Sequence, residues 1–213
     1  FNNFYDICHE HLSYYSVETF ENLLKTFDLK CLNAEINAVN GGSIRLYVGR
    51  KNSVHNNNKS YLQTMSKIKK IEKKLKLNKA STFYNFQKKI DNIKDKTNSF
   101  VNLINGSDEK IFALGASTKG NILLQHFGLD KSRIPFISER NPEKVGLRCL
   151  GSDIKLISEK EARKKKPKAF LVLPWNFKKE IVRREKDYIK KGGILMFPMP
   201  YPHYVSKKGE KKL

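Results

Sequence analysis

A chain of 213 residues with 39% hydrophobic and 11% aromatic content is long enough for one good core or two small ones, and its composition excludes a disordered protein. The formal charge of +21 ordinarily points to nucleic acid, but the lysines are scattered over ordinary solvent faces such as "KIKKIEKKLK" and "KEARKKKPK", so nucleic acid is not the expected partner. No apolar run of about 18 residues and no signal-like leader is present, so a cytoplasmic protein with no membrane partner is expected.

Cys8, Cys31 and Cys149 lie far apart without CxxC spacing, so reduced thiols are expected rather than a disulfide framework or a zinc knuckle. The chain opens on Phe1 with residues that read as the middle of a domain, which suggests a piece of a longer protein.

The opening stretch "YDICHEHLSYYS" groups Cys8, His9, Glu10 and His11. On a regular strand His9 and His11 share one face and Glu10 takes the other, so the three converge only in an irregular loop. Metal binding is a poor fit, since HExxH spacing and a distant Cys/His cluster are both missing. Acid/base work fits better: histidine titrates near neutral pH and an adjacent carboxylate orients its ring.

From Val17 to Phe27, Phe20, Leu23, Leu24 and Phe27 recur at helical spacing behind Ser16 as N-cap, with Thr19 in place of the acid of a capping box. "CLNAEINAV", "NGG" and "SIRLYVGR" read as strand, turn and strand, with Ile44, Leu46 and Val48 on one face. The polar run "KNSVHNNNKS" marks a boundary near residues 51–59. Two helices follow, one through Tyr61, Met65, Ile68, Ile71 and Leu75, the other from Ser81 through Phe83, Phe86, Ile90, Ile93, Thr97, Phe100 and Ile104. The second stripe is read as packing against a neighbouring domain.

From Lys110 the pattern alternates: "KIFALG" strand, "TKGNILLQHFG" helix capped by Gly128, "IPFISE" strand, "AFLVLP" strand, "NFKKEIVRREKDYIKKGG" one long helix, "ILMFPMP" last strand. Strands joined by helical crossovers imply an α/β, Rossmann-like, mostly parallel sheet. The expected division is 1–52, 53–105 and 106–213: a helix and hairpin, a helical segment, and the Rossmann-like domain.

Within that domain, Gly115, Ser117, Lys119 and Asn121 of "GASTKGN" form a turn between strand and helix. It is either a phosphate cradle or only a tight turn, since neither GxGxxG nor a P-loop ending is present. Glu139 ends the next strand, where a Rossmann acid accepts ribose hydroxyls. Trp175 and Asn176 end the third strand, on the edge where open α/β sheets bind ligands. Trp175 either stacks on a ring or plugs the helix–sheet interface, and Asn176 is read as the N-cap of the following helix.

"CHEHLSYYS", "NAVNGGSIRLYV", "GASTKGN", "ERNPEKVG" and "LVLPWNFKKEI", in this order along nearly the whole chain, resemble the sugar C-methyltransferases that act on nucleotide-linked keto-sugars. The resemblance implies a zinc-binding N-terminal domain and a central S-adenosylmethionine domain outside this chain. It also implies a C-terminal Rossmann-like domain that helps bind the nucleotide-sugar. Residues 1–52 are then the end of the central domain, with no zinc in this chain and the main S-adenosylmethionine motif missing from it.

The fragment alone is expected not to methylate. In the family a Tyr-His-Glu-His run lies in the active site. His9, Glu10 and His11 match its last three members, and Cys8 stands where the tyrosine does, which opens the phenol role to Tyr14, Tyr15 or no residue. His11 is implied as the base that takes a proton α to a ketone, and Glu10 as its orienter or as a hold on a sugar hydroxyl, before the carbon attacks the sulfonium methyl. Gly115, Ser117, Lys119, Asn121, Glu139, Trp175 and Asn176 are implied around the nucleotide-sugar, in surface-polysaccharide or deoxysugar biosynthesis. A module that only captures the nucleotide-sugar, with Cys8 breaking the site, is the competing reading, followed by a basic nucleic-acid-binding protein.

Overall fold

Ser16 starts the first helix, α1 (Val17–Lys25), by accepting a hydrogen bond from Thr19 N, while Thr19 Oγ1 accepts from Ser16 N at 2.9 Å. A threonine thus closes the reciprocal cap that its sequence position argued against, because a hydroxyl oxygen accepts as a Glu carboxylate would. Glu72 adds a second anchor, taking the Val17 N–H at 2.7 Å and the Glu18 N–H at 3.2 Å. The computed structural model from which these contacts come describes residues 4–8, 10–37, 42–54 and 59–213.

The chain divides into two units, Phe1–Glu10 with Phe86–Leu213, and His11–Asn85. In the second unit α1 is followed by an antiparallel hairpin of β1 (Leu29–Asn37) and β2 (Ser43–Arg50) and by helix α2 (Lys59–Leu75). Val17, Ala34, Met65 and Ile68 form its small core, with Leu46 packed against them. Ile44 and Val48 share Leu46's face of β2 but are 47% and 40% exposed. Asn40 and Gly41 of the expected turn lie outside the described residues.

Helix α3 (Ala80–Asn105) leads into the larger unit, where Ile90, Ile93, Thr97, Phe100, Val101 and Ile104 are buried at helical spacing. Phe83 of the same expected stripe is 57% exposed. The sheet contains β3 (Ile111–Leu114), β4 (Phe136–Glu139), β5 (Lys155–Ser158), β6 (Ala169–Val172), β7 (Ile194–Phe197), β8 (His203–Ser206) and β9 (Gly209–Lys212), in the order β5-β4-β3-β6-β7-β8-β9. The first five strands in that order pair in parallel. β8 and β9 add antiparallel edges.

The crossovers carry α4 (Thr118–Phe127), α5 (Glu159–Lys164), α6 (Lys178–Arg184) and α7 (Lys186–Lys190). Parallel strands buried on both faces explain the unbroken apolar runs "IFAL" and "AFLV", in which every residue is buried. This is an α/β, Rossmann-like sheet.

Four sequence expectations change. "ILMFPMP" is not the last strand, since the chain turns back as the β8–β9 hairpin. β5 is a strand that the sequence pattern does not mark, because it is short and begins on an exposed lysine. The long helix after β6 is two helices broken at Glu185 (φ −90°, ψ 14°), whose carboxylate is buried and held by Arg163 and Arg184. Asn176 does not cap a helix: it sits exposed inside a 3₁₀ turn, Trp175–Phe177, that runs directly into α6 without a side-chain cap.

No described helix is long and apolar enough to cross a membrane. Among the described residues no three His, Cys, Asp or Glu side chains are grouped to hold a metal ion.

Candidate functional site

The strand order reverses between β3 and β6. From β3 the chain moves through β4 to β5, then returns to β6 on the other side of β3. Such a switch point splays the connections apart and opens a crevice at the carboxyl ends of the two strands. Gly115 leaves β3 there at φ +80°, and a Cβ on it would lie 2.9 Å from Pro174 Cγ, so only glycine fits. A Cβ on Gly120 would meet Leu173 Cβ at 2.7 Å, which keeps α4 close against the end of β6. Ser117 caps α4 by accepting from Gly120 N at 3.1 Å.

Glu139, 8% exposed, reaches this turn from the end of β4. Its Oε2 accepts from Ala116 N at 2.7 Å, and its Oε1 from Arg140 N and Asn141 N at 2.8 Å. The carboxylate is therefore the turn's own anion. It occupies the Ala116 amide, which a phosphate in the turn would otherwise engage.

Lys119, the expected cation of the turn, is also committed: its Nζ lies 2.9 Å from Asp6 Oδ1 and 4.8 Å from the centroid of the Tyr5 ring. Trp175, 6% exposed, is a plug, with Tyr5 packed edge-on against it at 4.6 Å. Phe4 and Tyr5 are buried in the same core as the sheet, so the stretch leading to Cys8 and Glu10 is seated on the Rossmann-like unit. Asn121 is half-buried on the first turn of α4, its Oδ1 shielded and without a hydrogen-bond partner among the described residues.

A cavity of ≈ 260 Å³ opens beside the turn, lined by Gly115, Ser138, Glu139, Arg140, Pro174 and Phe177 among others. Ser138 is 1% exposed and its Oγ has no hydrogen-bond partner among the described residues, a state that costs about 1–3 kcal/mol for a buried hydroxyl. Arg140 is exposed, and its guanidinium meets no acceptor or carboxylate among the described residues. Phe177 is 61% exposed. None of these three was singled out in the sequence. A serine inside an apolar strand, followed by an acid and an arginine at its carboxyl end, was the available signal.

Glu10 and His11 are both exposed, and the division between the two units falls between them. The His11 and Tyr14 rings lie edge to face, 6.5 Å apart. Tyr15 instead packs on Phe20 at 5.6 Å. His9 lies outside the described residues.

The model of the C-methyltransferase C-terminal domain family matches residues 38–200. The C-methyltransferase NovU of Streptomyces niveus is 27% identical over 205 residues, covering 96% of this chain and 48% of that protein. The chain thus spans about half the length of the curated relative it matches.

Proposed function

The chain belongs to the C-methyltransferase C-terminal domain family, and from that premise we propose that it is the substrate-holding part of a longer C-methyltransferase acting on a nucleotide-linked keto-sugar. The observation that supports the substrate class is the switch-point crevice, which offers an unpartnered buried hydroxyl, an unengaged guanidinium and an open aromatic ring. A phosphorylated nucleoside presents the complementary groups: a flat ring, a polar ring edge and negative charge.

In the longer protein, residues 1–52 finish the methyl-donor domain, 53–105 connect, and 106–213 hold the nucleotide-sugar, with Phe4 to Asp6 seated on the last of these. His11 is the base: the C–H bond α to the ketone breaks, the proton passes to an imidazole nitrogen, and the electron pair becomes the enolate. Glu10 orients that ring or holds a sugar hydroxyl, and His9 completes the run.

S-adenosylmethionine, when bound, would supply the methyl group. The glycine turn at Gly115 has its Ala116 amide taken by Glu139 and its Gly120 amide by Ser117, and no step here runs through the methyl donor. Zinc is likewise assigned to the rest of the longer protein.

Calorimetric titration of the 213-residue chain with dTDP, UDP, CDP and GDP at two salt concentrations tests the substrate class. One nucleotide bound selectively, and still bound at the higher salt, is the expected result. Heat that is equal for all four and collapses with salt would reveal general anion binding and remove the nucleotide-sugar. In the longer enzyme His11→Ala is expected to abolish turnover while nucleotide-sugar binding persists. Turnover that survives would remove His11 as the base.

A further inference from the structure

Resting on that reading, we propose that the ligand is held in the crevice by Arg140, Ser138 and Phe177, and that Lys119 and Glu139 of the glycine turn do not touch it. The glycine turn looks like an anion cradle by residue type, yet each of its charged groups is already spoken for inside the chain. Glu139 accepts from three backbone amides between 2.7 and 2.8 Å. Lys119 is paired with Asp6 at 2.9 Å, and the residue before Asp6, Tyr5, is fully buried, so this partner cannot swing away without opening the core. Arg184, also on the cavity wall, is bonded to Glu159 and Glu185 at 3.1 Å each.

What is left over is Arg140, the one cation on the wall without a partner among the described residues. Its backbone N–H is fixed on Glu139 at 2.8 Å, so its side chain departs from a rigid point. A guanidinium in that position takes phosphate oxygens through paired N–H donors.

Ser138 supplies the second half of the argument. Ser138 lines the ≈ 260 Å³ cavity, is 1% exposed, and has an Oγ without a partner among the described residues; a ligand atom that donates or accepts there satisfies it. The residue is fixed by its neighbours, since its carbonyl accepts from Gly115 N at 2.8 Å and its strand pairs on both sides. Phe177 offers the ring face on which a base or sugar ring packs. Glu180 on the same wall places a carboxylate for a ring N–H or a hydroxyl and disfavours a second phosphate beside it. The class this selects is a phosphorylated nucleoside whose ring enters the cavity and whose phosphate stays at the rim.

The test is calorimetric titration of the chain and of Arg140→Ala, Ser138→Ala, Phe177→Ala and Lys119→Ala with the same four nucleoside diphosphates and their parent nucleosides, each variant's fold checked by circular dichroism. Arg140→Ala should weaken the diphosphate about tenfold, the loss of one charge-assisted contact, and leave the nucleoside unchanged. Ser138→Ala and Phe177→Ala should weaken both forms, and Lys119→Ala neither. Diphosphate binding lost in Lys119→Ala but retained in Arg140→Ala overturns the assignment and leaves the nucleotide reading standing. Failure of every nucleotide to bind the unmodified chain overturns both. If Ser138→Ala binds as tightly as the parent chain, the hydroxyl has no role and the proposed orientation falls.

Discussion

Tyr5 and Trp175 meet edge to face, their ring centroids 4.6 Å apart and their planes at 69°. One residue lies near the start of the chain and the other closes the end of β6, so this contact fastens the opening stretch to the Rossmann-like unit. Trp175 is the single tryptophan of the chain and therefore reports its own burial. Tyr5→Ala should destabilise the unit by about 3 kcal/mol through the cavity it leaves and move native tryptophan emission to the red. Urea titration followed by fluorescence reads both, and an unshifted native spectrum would show that the plug holds without Tyr5.

Glu139→Gln keeps the volume of the side chain but replaces an anion accepting three amides by an amide with one acceptor oxygen. One or more backbone N–H groups then face another N–H. A loss of about 2–3 kcal/mol in urea unfolding is expected, with hydrogen exchange at Ala116 and Arg140 accelerating together. Exchange rates that stay as they were would remove Glu139 as the clamp of the turn.

Gly115→Ala forces a residue with a Cβ into φ +80° and against Pro174 at 2.9 Å, whereas Gly120→Ala places a Cβ 2.7 Å from Leu173 in an ordinary helical backbone. The first change combines backbone strain with overlap and should cost about 2–4 kcal/mol, the second about 1–3 kcal/mol from overpacking alone. Thermal unfolding of the two variants ranks them. If Gly120→Ala proved the more damaging, the contact between α4 and the end of β6 would be tighter than the turn.

His203 is 1% exposed, its Nδ1 2.7 Å from Tyr201 O and its Nε2 3.6 Å from Glu210 Oε1. Burial is the main cause that pulls its imidazole below the ordinary value of 6.5; Lys178 and Lys212 act in the same direction, while the Tyr201 carbonyl and Glu210 oppose them. Below pH 6.5 the unfolded chain therefore binds more protons at this residue than the folded one, and stability falls as pH falls from there toward the folded value. Glu210, Asp130 and Asp153 are held below their ordinary carboxyl values of 4.5 and 3.8, so their losses begin only lower. Urea midpoints measured between these limits should drop in the parent chain and flatten in His203→Phe. Equal slopes in the two proteins would place the titration elsewhere.

Amino-acid order alone determined the elements whose signals are local. The α4 helix ends where Gly128 takes φ +67°, β3 and β6 announce themselves as unbroken apolar runs, and Ser16 starts α1, because caps, turn glycines and doubly buried strands need only their near neighbours. The β8–β9 hairpin was not legible: β9 is exposed throughout and carries no apolar pattern, and it exists because β8 offers it an open edge.

The same distinction governs the candidate site. Residue type marked Lys119 and Glu139 as ligand groups, and tertiary structure brings Asp6 to the one and the Ala116, Arg140 and Asn141 amides to the other. On the wall of the crevice it leaves the Ser138 hydroxyl and the Arg140 guanidinium, inconspicuous in the sequence, without partners among the described residues. A charge or a hydroxyl is available for function only after the fold has drawn its hydrogen bonds, and that choice depends on contacts between residues far apart in the chain.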